Sequence, residues 1–271
     1  MEKANLSSSH FYGMSDPSFT QLIKAWEENA NTRIRKEFSY KVELIQTILN
    51  LDYAIACYYM PIVLNPAIEG LRHRSPVLFS AYHRNWYAFF ASYDLTCNGL
   101  FGPARSILRH AFESMIIAKF CSLSKSDALY EKWIGGDAIY FTNNILKRIS
   151  KPDPKIFSEL WSTLSEFTHA TIYAQQMSLD WDHINNNVQF NLDLILILLE
   201  WHYHILTSHV VTSSTRYYTT YISELSGSDG VDNLRQLKQQ LRLSFKNAKQ
   251  DMPRLTKQVV RDFKQTWVLC E

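Results

Sequence analysis

The chain has 271 residues, of which 46% are hydrophobic and 14% aromatic, and its formal charge is only +2. Eight Gly and eight Pro are roughly half of average usage. So few breakers disfavour a sandwich or barrel of many short strands, and the apolar content excludes collagen-like, low-complexity and disordered classes.

The breakers fall between apolar periodic segments and so divide the chain into helices. Asp16-Pro17 reads as an N-cap and first helical position, opening a helix over 17–29. Val42, Ile45, Leu49, Ala56 and Met60 recur at helical steps and predict a long helix over 33–60, ending near Pro61. Ser75-Pro76 starts a helix through Cys97, closed by Asn98-Gly99, and Pro103 opens one ending near Ser122. Ser126 caps a helix from Asp127 to about Ile149, in which Gly135-Gly136 marks a kink or a close neighbour. Lys151-Pro-Asp-Pro154 is a turn, with a helix to about Gln176. Ser178 to Asn191 is Asn-rich and reads as a loop or short hairpin; a long helix covers 192–224. Ser226 to Gly230 is the best linker in the chain, followed by helices over 231–250 and 253–269. The expectation is an all-α, multi-helix bundle of about eight or nine helices, with a body over 1–225 and a C-terminal helical hairpin over 231–271.

The charge is unevenly placed. Residues 231–271 hold nine Lys/Arg and four Asp/Glu, a net +5, leaving −3 on residues 1–230. Cys57, Cys97, Cys121 and Cys270 form no metal-ligand spacing and read as cytoplasmic thiols. Met1 to Tyr12 lacks the apolar core of a signal peptide. Leu192 to Val211 has the length of a membrane span, but Asp193, Glu200 and three histidines make it a buried helix.

The most suggestive segment runs from Asn98 to Glu113. Arg105, Arg109 and Glu113 follow at four-residue steps, about 40° apart around a helix axis, so they line one face. Apolar residues elsewhere on that helix imply that the stripe is partly buried, with Arg109 and Glu113 pairing. Downstream, Trp161, Leu164 and Thr168 share a face, with Ser165 and His169 alongside; His169 reads as a proton carrier or as a polar plug on the Arg/Glu helix. Glu166 and His169 make a single Glu-x-x-His step, and Glu200, His202, His204 and His209 lie on one helix, where a polar seam outweighs a metal. There is no P-loop, GxGxxG, nucleophile elbow or HExxH, so neither cofactor nor metal is expected.

Gly102, Ala104, Arg109 and Glu113, followed by Leu164, Ser165 and His169, resemble a group of prokaryotic helical proteins associated with the HEPN superfamily. The match covers about a quarter of the chain, and its elements are short. HEPN ribonucleases carry an Arg, four to six residues, then His, which Arg105 and His110 fit. The resemblance implies a metal-independent ribonuclease of a defence or toxin system. A histidine would move the 2′-hydroxyl or leaving-group proton, and an arginine would stabilise the phosphorane charge. On that basis Arg105, Arg109, His110, Glu113 and His169 are the candidate catalytic residues. A five-residue step rotates about 140°, however, so Arg105 and His110 diverge unless the helix end or a dimer mate reunites them.

The rival expectation is a non-catalytic interaction subunit. Arg235, Lys238, Arg242, Lys246 and Lys249 trace a stripe at three- and four-residue steps, joined by Arg254, Lys257, Arg261 and Lys264. It reads as a solvated face, a site for RNA or other nucleic acid, or a dock for an acidic partner. The hairpin's apolar stripes need covering by the body or by another chain, which points to a homo-oligomer or protein partner.

Overall fold

The computed structural model describes residues 19–65, 75–166, 184–210, 215–250 and 254–270. The fold is all-α, as the sparse breakers imply. Helix α1 (Phe19–Glu37) and α2 (Ser39–Val63) are divided at Phe38 rather than near residue 30, and α2 runs through Pro61. Met60 is exposed there, so the helix is held by Tyr59, Ile62 and Val63, which are buried on its other sides. Helices α3 (Ser75–Cys97) and α4 (Phe101–Leu123) form a hairpin. Its turn is a Schellman motif: Gly99 N–H donates to Thr96 O and Leu100 N–H to Leu95 O. Gly99 has φ of 78°, and a Cβ there would lie 3.0 Å from the Ala30 Cβ, so both conformation and packing against α1 require glycine.

The second glycine pair ends a helix instead of kinking one. Helix α5 (Ala128–Gly135) closes on Gly136, at φ 77°, through Gly136 N–H to Trp133 O and Asp137 N–H to Lys132 O. The chain then makes a π-helical turn at Phe141–Ile145, a 3₁₀ turn at Leu146–Arg148 and a short strand, β1 (Ile149–Lys151). That strand pairs antiparallel with β2 (Val268–Leu269), which tethers the chain's end to the body. Helix α6 (Lys155–Glu166) follows the Lys151–Pro154 turn.

The Asn-rich segment from Ile184 is helical, which corrects the loop expectation; it is the first part of α7 (Ile184–Ile205). Asn187 and Asn191 are buried in α7 and hold Arg105, so tertiary bonding overrides their weak helix propensity. A π-helical turn at Leu206–Val210 leads on to α8 (Thr215–Ala248). The expected linker is one strained residue: Gly227, at φ 70° and ψ −176°, breaks α8 while helix continues on both sides. Helix α9 (Arg254–Lys264) completes the hairpin and is shorter than expected because Val268 and Leu269 join β1.

Helix α7 is the bundle's axis, with Leu192, Ile195, Leu198, Leu199 and Trp201 buried, and it packs against α2, α3, α4 and α9. Helix α8 lies along α2. Leu234, Leu241, Phe245 and Ala248 of α8 are buried in the chain's own core, as are Val260, Phe263 and Trp267. The body thus covers much of the hairpin stripe that suggested an oligomer. Trp201 stacks on Phe263 with centroids 4.1 Å apart, joining axis and hairpin directly. One part of the aromatic excess lies outside the core: Tyr87 and Phe90 of α3 are about half exposed beside Trp86. No helix among the described residues is long and apolar enough to cross a membrane.

Candidate functional site

The four-residue stripe on α4 divides between two neighbours. Arg105 is 2% exposed and points at α7. Its Nε donates to Asn191 Oδ1 at 2.6 Å and its Nη2 to Asn187 Oδ1 at 2.8 Å, with Phe190 across its face at 4.8 Å. Asn191 is fixed in turn by donating to Thr96 Oγ1 and Phe101 O. Four residues on, Arg109 meets α6. Its Nε donates to Glu113 Oε1 at 3.1 Å, and its guanidinium lies 5.4 Å from the Trp161 ring. Trp161 Nε1 donates to the same Glu113 oxygen at 2.6 Å. The Arg109 and Glu113 side chains are 18% and 23% exposed, so this pair is half shut, whereas Arg105 is closed off.

His110 is exposed and Arg105 buried, so the Arg/His spacing does not assemble a site within one chain. The 140° divergence is realised because α4 is regular through both positions. His169 lies outside the described residues, as does Thr168.

The histidines of α7 are likewise separated. His202 is fully buried between two acceptors, Asp52 Oδ2 and Tyr82 O, each at 2.8 Å, and stacks on Tyr82 at 3.7 Å. Burial, followed by the Asp52 charge, pushes the Tyr82 phenol well above its ordinary range. His209 shares a hydrogen bond with Ser122. Among the described residues no three His, Cys, Asp or Glu side chains converge as metal ligands.

The basic hairpin does converge. Arg242 and Lys246 of α8, Lys249 just past its end and Lys264 of α9 border one cavity of about 360 Å³ against α7, whose wall supplies Glu200, Tyr203 and His204. Glu200 is 3% exposed, and its Oε1 accepts from Lys249 Nζ at 2.5 Å and from Lys264 Nζ. Two ammonium groups, one from the turn after α8 and one from α9, thus share one carboxylate oxygen, while Arg242 and Lys246 add charge at the rim. Burial, followed by the charges of Lys119 and Lys264, lowers His204 to about 3, so it lines the cavity as a neutral ring. Burial raises the Tyr203 phenol, and Arg242 stands close enough to oppose that rise.

The other two stripe residues lie elsewhere. Lys238 packs over the Tyr59 ring at 5.0 Å, where burial, and then Arg242, lower its pKa. Arg235 pairs with Asp232 in solvent. Lys119, which the sequence did not single out, is 1% exposed and fastens the hairpin. Its Nζ donates to Phe263 O and Gln265 O at the end of α9, between the Phe263 and Trp267 rings. Burial lowers it to about 7.

Family models, curated proteins and solved structures were each compared with the chain, and none matches. The site is therefore read from its own geometry.

Proposed function

We propose that this chain is a non-catalytic helical interaction subunit that docks on nucleic acid through the basic face of its C-terminal hairpin. The observation that supports this reading is the convergence of Arg242, Lys246, Lys249 and Lys264 from the two arms of the hairpin on one concave surface. A merely solvated stripe has no need of that arrangement, and a concave cationic surface focuses its field on phosphates. The arrangement of α4 supports the non-catalytic half of the proposal. Arg105 spends its guanidinium on two asparagines, and His110 faces solvent away from it.

Fluorescence anisotropy with a 5′-hydroxyl single-stranded RNA tests the proposal. Affinity is expected to fall as salt rises, with a log–log slope of about −0.7 per neutralised phosphate, and to drop further in the double variant R242Q/K246Q. Absence of RNA binding at low salt would overturn it, as would tighter binding to polyglutamate, which would favour an acidic protein. Cleavage of the RNA, lost on substituting Arg109 or His169, would favour the metal-independent ribonuclease that the HEPN resemblance implies.

A further inference from the structure

The hairpin cavity has a local charge imbalance that a long nucleic-acid track does not require. Lys249 Nζ and Lys264 Nζ both bond Glu200 Oε1, which holds the two ammonium groups within about 5 Å of each other. One carboxylate offsets one of them. Arg242 and Lys246 then make four cations against a single anion around the same space, since His204 is neutral. Phe245 is buried in the wall and the Tyr203 ring lies beside it, so part of the concave lining is of low polarity and focuses the field. The Tyr203 hydroxyl is buried at the same wall within reach of Arg242, and because a guanidinium only donates, the phenol keeps its own O–H as a donor. The volume of about 360 Å³ is at the small end for ligand pockets. It suits a compact, highly charged group better than a base or a peptide.

From these observations we infer that the cavity between α7, α8 and α9 is a binding site for a di- or triphosphate group. Orthophosphate leaves the imbalance partly uncancelled; a chain of phosphates closes it and reaches from the Lys249/Lys264 pair to Arg242 and Lys246. Lys249 and Lys264 keep ammonium protons beyond those given to Glu200, because each has three. The group could arrive on a free small molecule or on the 5′ end of an RNA, and the chemistry of capture is the same. The site lies apart from the α4 and α6 residues that carry the HEPN resemblance, and it does not depend on the docking proposal.

The test is calorimetric titration of the full chain with inorganic triphosphate, pyrophosphate and orthophosphate in low salt. Triphosphate is expected to bind tightest, with each removed phosphate weakening binding by about tenfold. R242Q/K246Q, in two exposed positions, is expected to weaken triphosphate by about tenfold or more, and Lys264→Met provides a second variant from another helix. Arg235→Gln, on the same helix but outside the cavity, should leave affinity unchanged. No binding at millimolar triphosphate overturns the inference, and so does an equal loss in Arg235→Gln, which would mean a diffuse field. Adenosine triphosphate and a 5′-triphosphorylated RNA identify the source; tighter binding of either over its uncharged-end counterpart supports the site. Binding of triphosphate without 5′-hydroxyl RNA would sink the docking proposal alone, and the reverse result would sink this one.

Discussion

The α4 stripe and the hairpin stripe use the same residue types at the same helical spacing, yet they end in opposite states. On α4, Arg105 is met by two asparagines of α7, and Arg109 by Glu113 of its own helix and the Trp161 ring of α6. On the hairpin, two lysines share one buried carboxylate, and Arg242 and Lys246 border the same cavity without it. The difference lies in the facing helix. Helix α7 presents Asn187 and Asn191 to Arg105, but further along it presents Glu200 alone, flanked by Tyr203 and His204. A helix-spaced charge stripe therefore marks a site only where the opposing wall leaves it in excess.

The largest effect should come from opening the closed side. Asn191→Leu removes the acceptor of Arg105 Nε inside the core and strands part of a buried cation. It is expected to cost about 3 kcal/mol, read as a lower urea midpoint with unchanged m. A loss below about 1 kcal/mol would mean that Arg105 relaxes to solvent and that α4 is less closed than its geometry implies.

The second test uses pH on the open side. His204 titrates near 3 when folded and near 6.5 otherwise. Between those values the unfolded chain takes up a proton that the folded chain refuses, so stability falls as pH drops from 6.5 toward 3. The full shift corresponds to about 5 kcal/mol, which solvent at the cavity mouth screens to on the order of 2 kcal/mol, and His204→Phe should flatten that limb. Lys119 acts with the same sign at higher pH. Its folded value of about 7 lies below 10.5, so stability rises as pH climbs between them.

Glu200→Gln should separate stability from binding. Removing the charge leaves Lys249 and Lys264 facing each other and costs about 1 to 2 kcal/mol, limited by their partial exposure to solvent. The same change adds one positive charge to the cavity, so affinity for triphosphate should rise. If stability and affinity fall together, Glu200 organises the lysines for the ligand, and charge excess alone is the wrong account.

Much of the fold was legible because helix ends are chemically marked. Gly99 announced its turn, and the apolar stripe of 234–248 announced burial. The errors share a cause: the information lay on another helix. Ile184 to Asn191 looked like a loop because nothing local says that Arg105 sits opposite. Gly135-Gly136 looked like a kink because the β1–β2 pairing that takes the chain onward is formed with residues more than a hundred positions away. For the site, Arg242, Lys246 and Lys249 were legible as a stripe, but their separation from Arg235 and Lys238 was not. Whether a helix position meets Glu200, Tyr59 or solvent is set by the neighbour.

The smallest effect belongs to Trp161→Phe, and it bears most directly on the α4 side. Phenylalanine keeps an aromatic face near Arg109 but removes the Nε1–H that holds Glu113 Oε1 at 2.6 Å. Because Arg109 also donates to that oxygen, the carboxylate retains a partner, and the loss should be about 1 kcal/mol in urea unfolding. RNA affinity and triphosphate affinity should not move, since α6 and the cavity share no residue. A change in RNA handling without a change in stability would show that Arg109 and Glu113, 18% and 23% exposed, form the edge of an open site. In that event the contrast between the two stripes would have to be redrawn, with charge excess on the hairpin serving to bring RNA to the α4–α6 face.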